Sequence, residues 1–280
     1  MSVTDTEQAD FGCYAPSSWA NSLLKITRSL SATGVQKKLA FLLRKPALKS
    51  INDVVDIETN SLSLRLYPHQ NLSDKRLLSL PDMLDGPERE YIAGELPQHA
   101  VVIDIGANIG GYSMLLKQQR PDFRILAVEP DPLLVQRFTF NQALNPLLQD
   151  IRLEPSAISD RNGTLLLDTS GSNKGENHIL EDSDARGDSV SRVDGLTLYR
   201  LQQKHDIVMA DLIKLDIEGH EYPVMKKFFE ESPRECWPEY LQIEQYRQVE
   251  LNETVSLCLS RGYEITTRSR MNVILKKTVV

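Results

Sequence analysis

Two β-like runs close the sequence, over residues 263–267 and 271–277, and only Arg268, Ser269 and Arg270 separate them. A parallel crossover needs about a dozen residues, so these two strands must pair antiparallel. The chain before them has a different character. Val101–Ile105 is an unbroken apolar run ending at Gly106, the pattern of a strand buried on both faces. A helix is predicted over 110–119, a second strand over 124–129, and a helix over 132–144 with proline in its first turn. Further strands fall at 151–153, 212–217 and Tyr240–Glu244, with a β excursion at 164–167 and helices at 221–230 and 251–261. Such alternation implies right-handed βαβ units. The expected architecture is therefore α/β, a mostly parallel seven-stranded sheet ending in an antiparallel hairpin. A dinucleotide dehydrogenase would continue with parallel units instead.

The N-terminal third reads as an extension over residues 1–80, ahead of a main domain over 81–280. Residues 53–70 alternate apolar and polar side chains and predict a β-hairpin turning at Thr59 and Asn60. A loop follows, then a short helix over 87–96. Upstream, residues 11–52 contain no Asp or Glu but include Lys25, Arg28, Lys37, Lys38, Arg44, Lys45 and Lys49. Two helical patterns run through this stretch. One follows the capping candidates Ser17 and Ser18, and one runs from Val35 and stops at Pro46. Two readings are open: helices resting on the main domain with a solvated basic face, or peripheral docking of residues 17–49 on anionic membrane.

Composition excludes several partners. A net charge of −7 argues against duplex nucleic acid, whose phosphates need clustered Lys and Arg. No apolar run approaches the roughly 18–20 residues that span a bilayer. The first residues are acidic and carry no apolar core, unlike a secretory signal. Cys13, Cys236 and Cys258 lie far apart with no CxxC pair, which fits a reducing cytoplasm.

Two constellations carry the chemistry. In the first, Asp104, Gly106, Ala107, Asn108 and Gly110 form the turn between the first strand and its helix. Gly106 lets the backbone turn tightly, while Gly110 and Gly111 let the helix begin close to a ligand. The helix N-terminus offers N–H groups to an anion, and Asp104 can accept from an ammonium group. Glu129 ends the second strand, where a carboxylate can take both hydroxyls of a ribose; Pro130 and Asp131 follow it. Glu129→Ala and Gly106→Val are both expected to abolish ligand binding with the fold largely intact. In the second, Lys214, Asp216, Glu218, Gly219, His220 and Glu221 crowd the end of the fourth strand, where Asp216 and Glu218 share one face. Three carboxylates, an ammonium and an imidazole within eight residues are costly to hold without a ligand or a salt-bridge network.

The strings DIGANIGGYS at 104–113, VEPDP at 128–132, SRVDGL at 191–196, LIKLDIEGHE at 212–221 and YLQIEQ at 240–245 closely resemble the FkbM family of S-adenosylmethionine-dependent O-methyltransferases. The resemblance covers roughly the last 200 residues. At 191–196 only Asp194 and Leu196 match the family's usual string. It implies a Rossmann-like methyltransferase sheet, S-adenosyl-L-methionine as cofactor, and a hydroxyl-bearing acceptor such as a sugar or glycan. Candidate cofactor contacts are Asp104, Gly106, Ala107, Asn108, Gly110, Glu129, Pro130, Asp131, Ala157 and Asp216. His220, Glu218, Asp216, Lys214 and Glu244 are candidates for catalysis, and His178 lies in the polar stretch 169–191. A divalent cation on Asp216 and Glu218 is left open, as are a nicotinamide oxidoreductase and a cofactor-binding regulatory protein.

Overall fold

The structure, a computed structural model, describes residues 9–59, 61–169, 171, 178–180, 190–217, 219–245 and 250–278. The chain begins with helices α1 (Ser18–Arg28) and α2 (Gly34–Ser50), then strands β1 (Val55–Thr59) and β2 (Leu62–Leu66), which pair antiparallel. Helix α2 does not stop at Pro46. It continues to Ser50 because the fixed φ of proline is helical, and the one hydrogen bond lost faces solvent on an exposed side. The expected loop after the hairpin holds a helix, α3 (Leu72–Ser79). Asn71 caps it by accepting from the Ser73 N–H at 2.8 Å, and Leu77 and Leu78 anchor it in the core.

Helix α4 (Gly86–Glu95) leads into β3 (Val101–Ile105), α5 (Gly111–Gln119), β4 (Arg124–Val128), α6 (Pro132–Ala143) and β5 (Arg152–Glu154). The chain continues through β10 (Leu212–Leu215), α8 (Glu221–Glu231), β11 (Tyr240–Glu244), α9 (Glu253–Ser260), β12 (Tyr263–Arg268) and β13 (Asn272–Lys277). These seven strands lie in the order β12-β13-β11-β10-β3-β4-β5. Strands β11, β10, β3, β4 and β5 run parallel, and β13 is antiparallel to both β11 and β12. The terminal hairpin is where the short gap demanded it.

Apolar side chains leave both faces of the sheet. Val102, Ala127, Leu212, Tyr240 and Ile274 face a core built with α5, α6 and the N-terminal elements; Ile103, Leu126, Ile213, Leu241 and Leu275 face α7 (Leu198–Lys204), α8 and α9. The N-terminal hairpin belongs to the first core through Leu62, Leu64 and Leu66. Its backbone is held by Asn141 of α6, which accepts from the Arg65 N–H at 2.7 Å, and by Asn145 just beyond that helix, which accepts from the Ser63 N–H at 2.8 Å. Arg65 is itself buried in a 2.7 Å pair with Asp56.

Between β5 and β10 lies a second sheet that periodicity did not reveal. It contains β6 (Ser156–Ile158), β7 (Gly163–Asp168), β8 (His178–Leu180) and β9 (Val190–Leu196), in the order β6-β9-β7-β8, followed by helix α7 (Leu198–Lys204). Only the β7 excursion was anticipated, since β6 and β8 are three residues each and too short to show alternation. Most of the polar stretch 169–191 falls outside the described residues. No helix among the described residues is long and apolar enough to cross a membrane.

Candidate active site

Register places a polar row on one face of an otherwise apolar sheet. Asp104, Lys214 and Gln242 are direct partners across β3, β10 and β11, so their side chains share the face that carries Val102, Leu212 and Tyr240 one step earlier. Asp104 is fully buried. The Ser113 hydroxyl, from the first turn of α5, donates to its Oδ2 at 2.7 Å. Lys214, also buried, donates to Asp216 Oδ2 at 3.0 Å and stands 3.5 Å from Asp104 Oδ1. Burial opposes the Lys214 charge, but Asp216, Asp104 and Asp85 together outweigh it and hold the ammonium well above its usual range.

Residues unmarked in the sequence complete the cluster. Asp85 adopts the left-handed conformation, φ 50, ahead of α4, a position that costs a non-glycine residue on the order of 1–3 kcal/mol. Gln242 Nε2 donates to its Oδ2 at 3.1 Å and Asn272 Nδ2 to its Oδ1 at 3.0 Å. Burial pushes its carboxyl up to about 6, with Lys214 opposing and Asp216 adding to the rise. The Tyr112 hydroxyl donates to Gln242 Oε1 at 2.9 Å. The one signal for Asp85 was its Asp-Gly-Pro turn string; Gln242 lay in the YLQIEQ string without a role, and strand register placed it and Asn272.

The turn after β3 wraps toward Glu129. Gly106 and Ala107 both donate to the Val128 carbonyl at 3.0 Å. Asn108, at φ 56, donates its N–H to Glu129 Oε2 at 2.8 Å, and Asp131 donates its N–H to Oε1 at 2.9 Å. Each carboxylate oxygen keeps a further acceptor position. Neighbouring protein atoms already require these glycines. A Cβ on Gly106 would strike the Asp216 carbonyl oxygen, one on Gly110 would come within 2.6 Å of the Phe138 ring, and one on Gly111 within 3.0 Å of Leu84. Asp131 caps α6 by accepting from the Leu133 N–H at 2.8 Å, and Pro130 links the two carboxylates. Ala157 packs into the small sheet beside Leu165, Leu167 and Val193.

Burial pushes the Glu129 carboxyl up to about 7 against the pull of its two backbone donors. A carboxyl whose folded value is raised disfavours folding progressively as pH climbs from its ordinary range through that value. Glu129→Gln carries no such titration. Its stability relative to wild type should rise by on the order of 2 kcal/mol between about pH 5 and pH 8. Urea unfolding of both proteins at the two pH values tests this; a constant difference would place the Glu129 charge in a solvated setting.

The second constellation divides. Strand β10 ends at Leu215, so Asp216 lies in the loop beyond it, half-exposed, and Glu218 lies outside the described residues. Glu221 closes the turn by accepting from the N–H groups of Ile217 at 3.0 Å and Gly219 at 3.3 Å. His220 turns toward the small sheet, its Nε2 3.3 Å from Ser159 Oγ. Burial holds the imidazole below its usual value, with Asp160 and Glu221 opposing. Glu244 ends β11 opposite Asn272, its carbonyl accepting from Asn252 Nδ2 at 2.9 Å. Asp194 is exposed on β9, and the His178 side chain lies outside the described residues.

Two features fit a ligand carrying an ammonium group and a ribose. Asp104 Oδ1 is buried without a hydrogen-bond donor, and Glu129 retains acceptor capacity at the adjoining strand end. For a divalent cation the fit is poor. Among the described residues no group of three or more His, Cys, Asp or Glu is placed to hold a metal, and the Lys214 ammonium already sits between Asp104 and Asp216.

The family described as "Methyltransferase FkbM domain" matches residues 104–265, more than half of the chain. Methyltransferase sdnD of Sordaria araneosa is 30% identical over 169 residues, which cover 50% of this chain and 65% of that protein. The 2-O-methyltransferase NoeI of Sinorhizobium fredii is 32% identical over 138 residues, covering 45% of this chain and 56% of its own. The chain thus spans less than two thirds of the length of either relative. Among solved structures, the METTL16 MTase domain aligns with TM-score 0.49 and 13% identity, over 80% of this chain and 76% of that one.

Proposed function

Since the chain belongs to the FkbM methyltransferase family, we propose that it transfers a methyl group from S-adenosyl-L-methionine to a hydroxyl of a sugar, glycan or related natural product. The observation that carries this reading is Glu129, fixed by two backbone N–H groups at the end of β4, beside the turn whose Asp104 keeps a buried, undonated oxygen. The 2-O-methyltransferase NoeI among its relatives supports the choice of oxygen as acceptor atom.

The cofactor would supply a methyl on positively charged sulfur, which leaves as a neutral thioether as the acceptor oxygen takes the methyl. The chain's own residues bind and orient. Glu129 accepts two ribose hydroxyls. Asp104 accepts from an ammonium group, and the first-turn N–H groups of α5 face a carboxylate. Alignment of the reacting atoms with water excluded then lowers the barrier. One group must take the acceptor's proton. His220 suits this step because burial keeps it neutral near pH 7; Asp216, Glu218 and Glu244 are the other candidates. A cytoplasmic setting remains part of this proposal, on the cysteine argument above.

His220→Ala should keep near-normal cofactor affinity and lose at least about a hundredfold in single-turnover methyl transfer. Normal turnover in that variant would move the base to Asp216, Glu218 or Glu244. For the activity itself, the decisive experiment offers labelled cofactor with fractionated lysate glycans, lipids and small molecules. Label recovered in a methyl ether supports the proposal. Cofactor binding with no label in any pool points to a regulatory protein, and binding of NAD instead points to an oxidoreductase.

A further inference from the structure

We infer that α2, assisted by α1, is a docking face for an anionic lipid bilayer. An amphipathic helix on a globular protein turns its large apolar side chains inward. Here the fully buried positions of α2 are the small residues Ala40 and Ala47, with Leu48 partly buried against the core beside them. Val35 (81% exposed), Leu39 (43%) and Leu42 (63%) point to solvent together with Pro46. Their spacing of four, three and four residues puts them on one side of the helix. Trp19 and Ile26, seven apart on α1, are also about half exposed. These two helices therefore hold five of the ten large apolar residues exposed among the described residues.

A lysine row borders the apolar strip. Lys38, Lys45 and Lys49 are exposed and spaced seven and four apart, on the adjoining side of α2. Other basic groups of the region are engaged locally: Arg28 donates to the Leu78 carbonyl, and Lys37 and Arg44 lie over the Phe41 ring. No ion pair among the described residues uses Lys25, Lys38, Lys45 or Lys49. Residues 11–52 carry +7 in a chain whose net charge is −7. A merely solvated face would account for the lysines and leave Val35, Leu39 and Leu42 unexplained.

Charge and residue type select the occupant. Protein interfaces deplete lysine at their centres. A lipid surface accepts it, because the long stem lies along the acyl boundary while the ammonium reaches the headgroups. Anionic headgroups meet the unpaired lysines, and the strip of Val35, Leu39 and Leu42 enters the boundary beneath them. This inference goes beyond the proposed activity and does not depend on it.

Sedimentation of the full chain with phosphatidylcholine vesicles, with and without phosphatidylglycerol, tests the face. Wild type should partition to the anionic vesicles at about 0.1 M salt and be released as salt rises. Lys38→Glu/Lys45→Glu/Lys49→Glu should reduce partitioning on the order of a hundredfold. Leu39→Glu/Leu42→Glu should reduce it about tenfold or more. All five positions are exposed or nearly so, and thermal unfolding checks that each variant is folded; Val35→Ser serves as a milder probe if one is not. Equal retention on neutral and anionic vesicles, no retention, or wild-type retention by the folded variants would overturn the inference. So would a solution dimer dissociated by Leu39→Glu/Leu42→Glu, which would assign the strip to a second copy of the chain.

Discussion

Lys214→Met should destabilise the protein by about 3–5 kcal/mol near neutral pH, because it leaves buried carboxylates without their cation. Asp104 is fully buried, Asp85 is turned into the same cluster from the loop before α4, and Asp216 receives the lysine's hydrogen bond. The loss should depend on pH in a defined direction. Burial already raises the Asp85 carboxyl to about 6 with the lysine present. Such a group binds its proton more readily folded than unfolded, so folding gains stability as pH falls through that value. Removing Lys214 raises the value further and moves the gain to higher pH. The deficit of the variant should therefore shrink between about pH 7 and pH 5. Adding Asp104→Asn to Lys214→Met should recover part of it, as the buried charge disappears with its partner. Urea unfolding across that range provides the measurement. A variant within about 1 kcal/mol of wild type at neutral pH would mean that solvent screens these carboxylates.

Gly106→Val should cost roughly 3–5 kcal/mol and lose the site with the fold, contrary to the expectation that binding alone would suffer. Two penalties act together. Gly106 sits at φ 77, a conformation a β-branched residue avoids, and its Cβ would lie against the Asp216 carbonyl, which is backbone and cannot rotate away. Gly106→Ala should cost nearly as much, since the clash arises at the first carbon. Gly219 supplies the contrast. Its φ is 92, yet nothing lies within 4 Å of a built Cβ, so Gly219→Ala should show only the conformational penalty of about 1–2 kcal/mol. Thermal unfolding of the three variants separates the two contributions. If Gly106→Ala melts like Gly219→Ala, the loop after β10 yields and the close approach of the two strand ends is not obligatory.

These variants mark where reading along the chain stopped. The seven strands and their helices follow from local causes: unbroken apolar runs for strands buried on both faces, 3.6-residue periodicity for helices, and a three-residue gap too short for anything but an antiparallel hairpin. The acidic strand ends at Asp104, Glu129 and Lys214–Asp216 were visible for the same reason, because charge at the end of an apolar run has few local explanations. Pro46 misled, since its rule concerns the lost hydrogen bond, and the cost of that bond depends on whether the freed carbonyl faces water. The second sheet escaped because β6 and β8 are three residues each and β9 carries Asp194 and Gly195, residue types depleted in strands.

By itself, the sequence determined the order of the main sheet's elements and the chemical types gathered at its strand ends, since these depend on near neighbours along the chain. Tertiary structure alone decided which side chains meet. It set Asp85, Gln242 and Asn272 around Lys214, turned His220 toward Ser159, and left Val35, Leu39 and Leu42 of α2 facing outward. Register between distant strands and the packing of one helix on another are long-range outcomes. A single loop conformation, such as the left-handed Asp85, is held by contacts with residues more than a hundred positions away, and no window of sequence contains its cause.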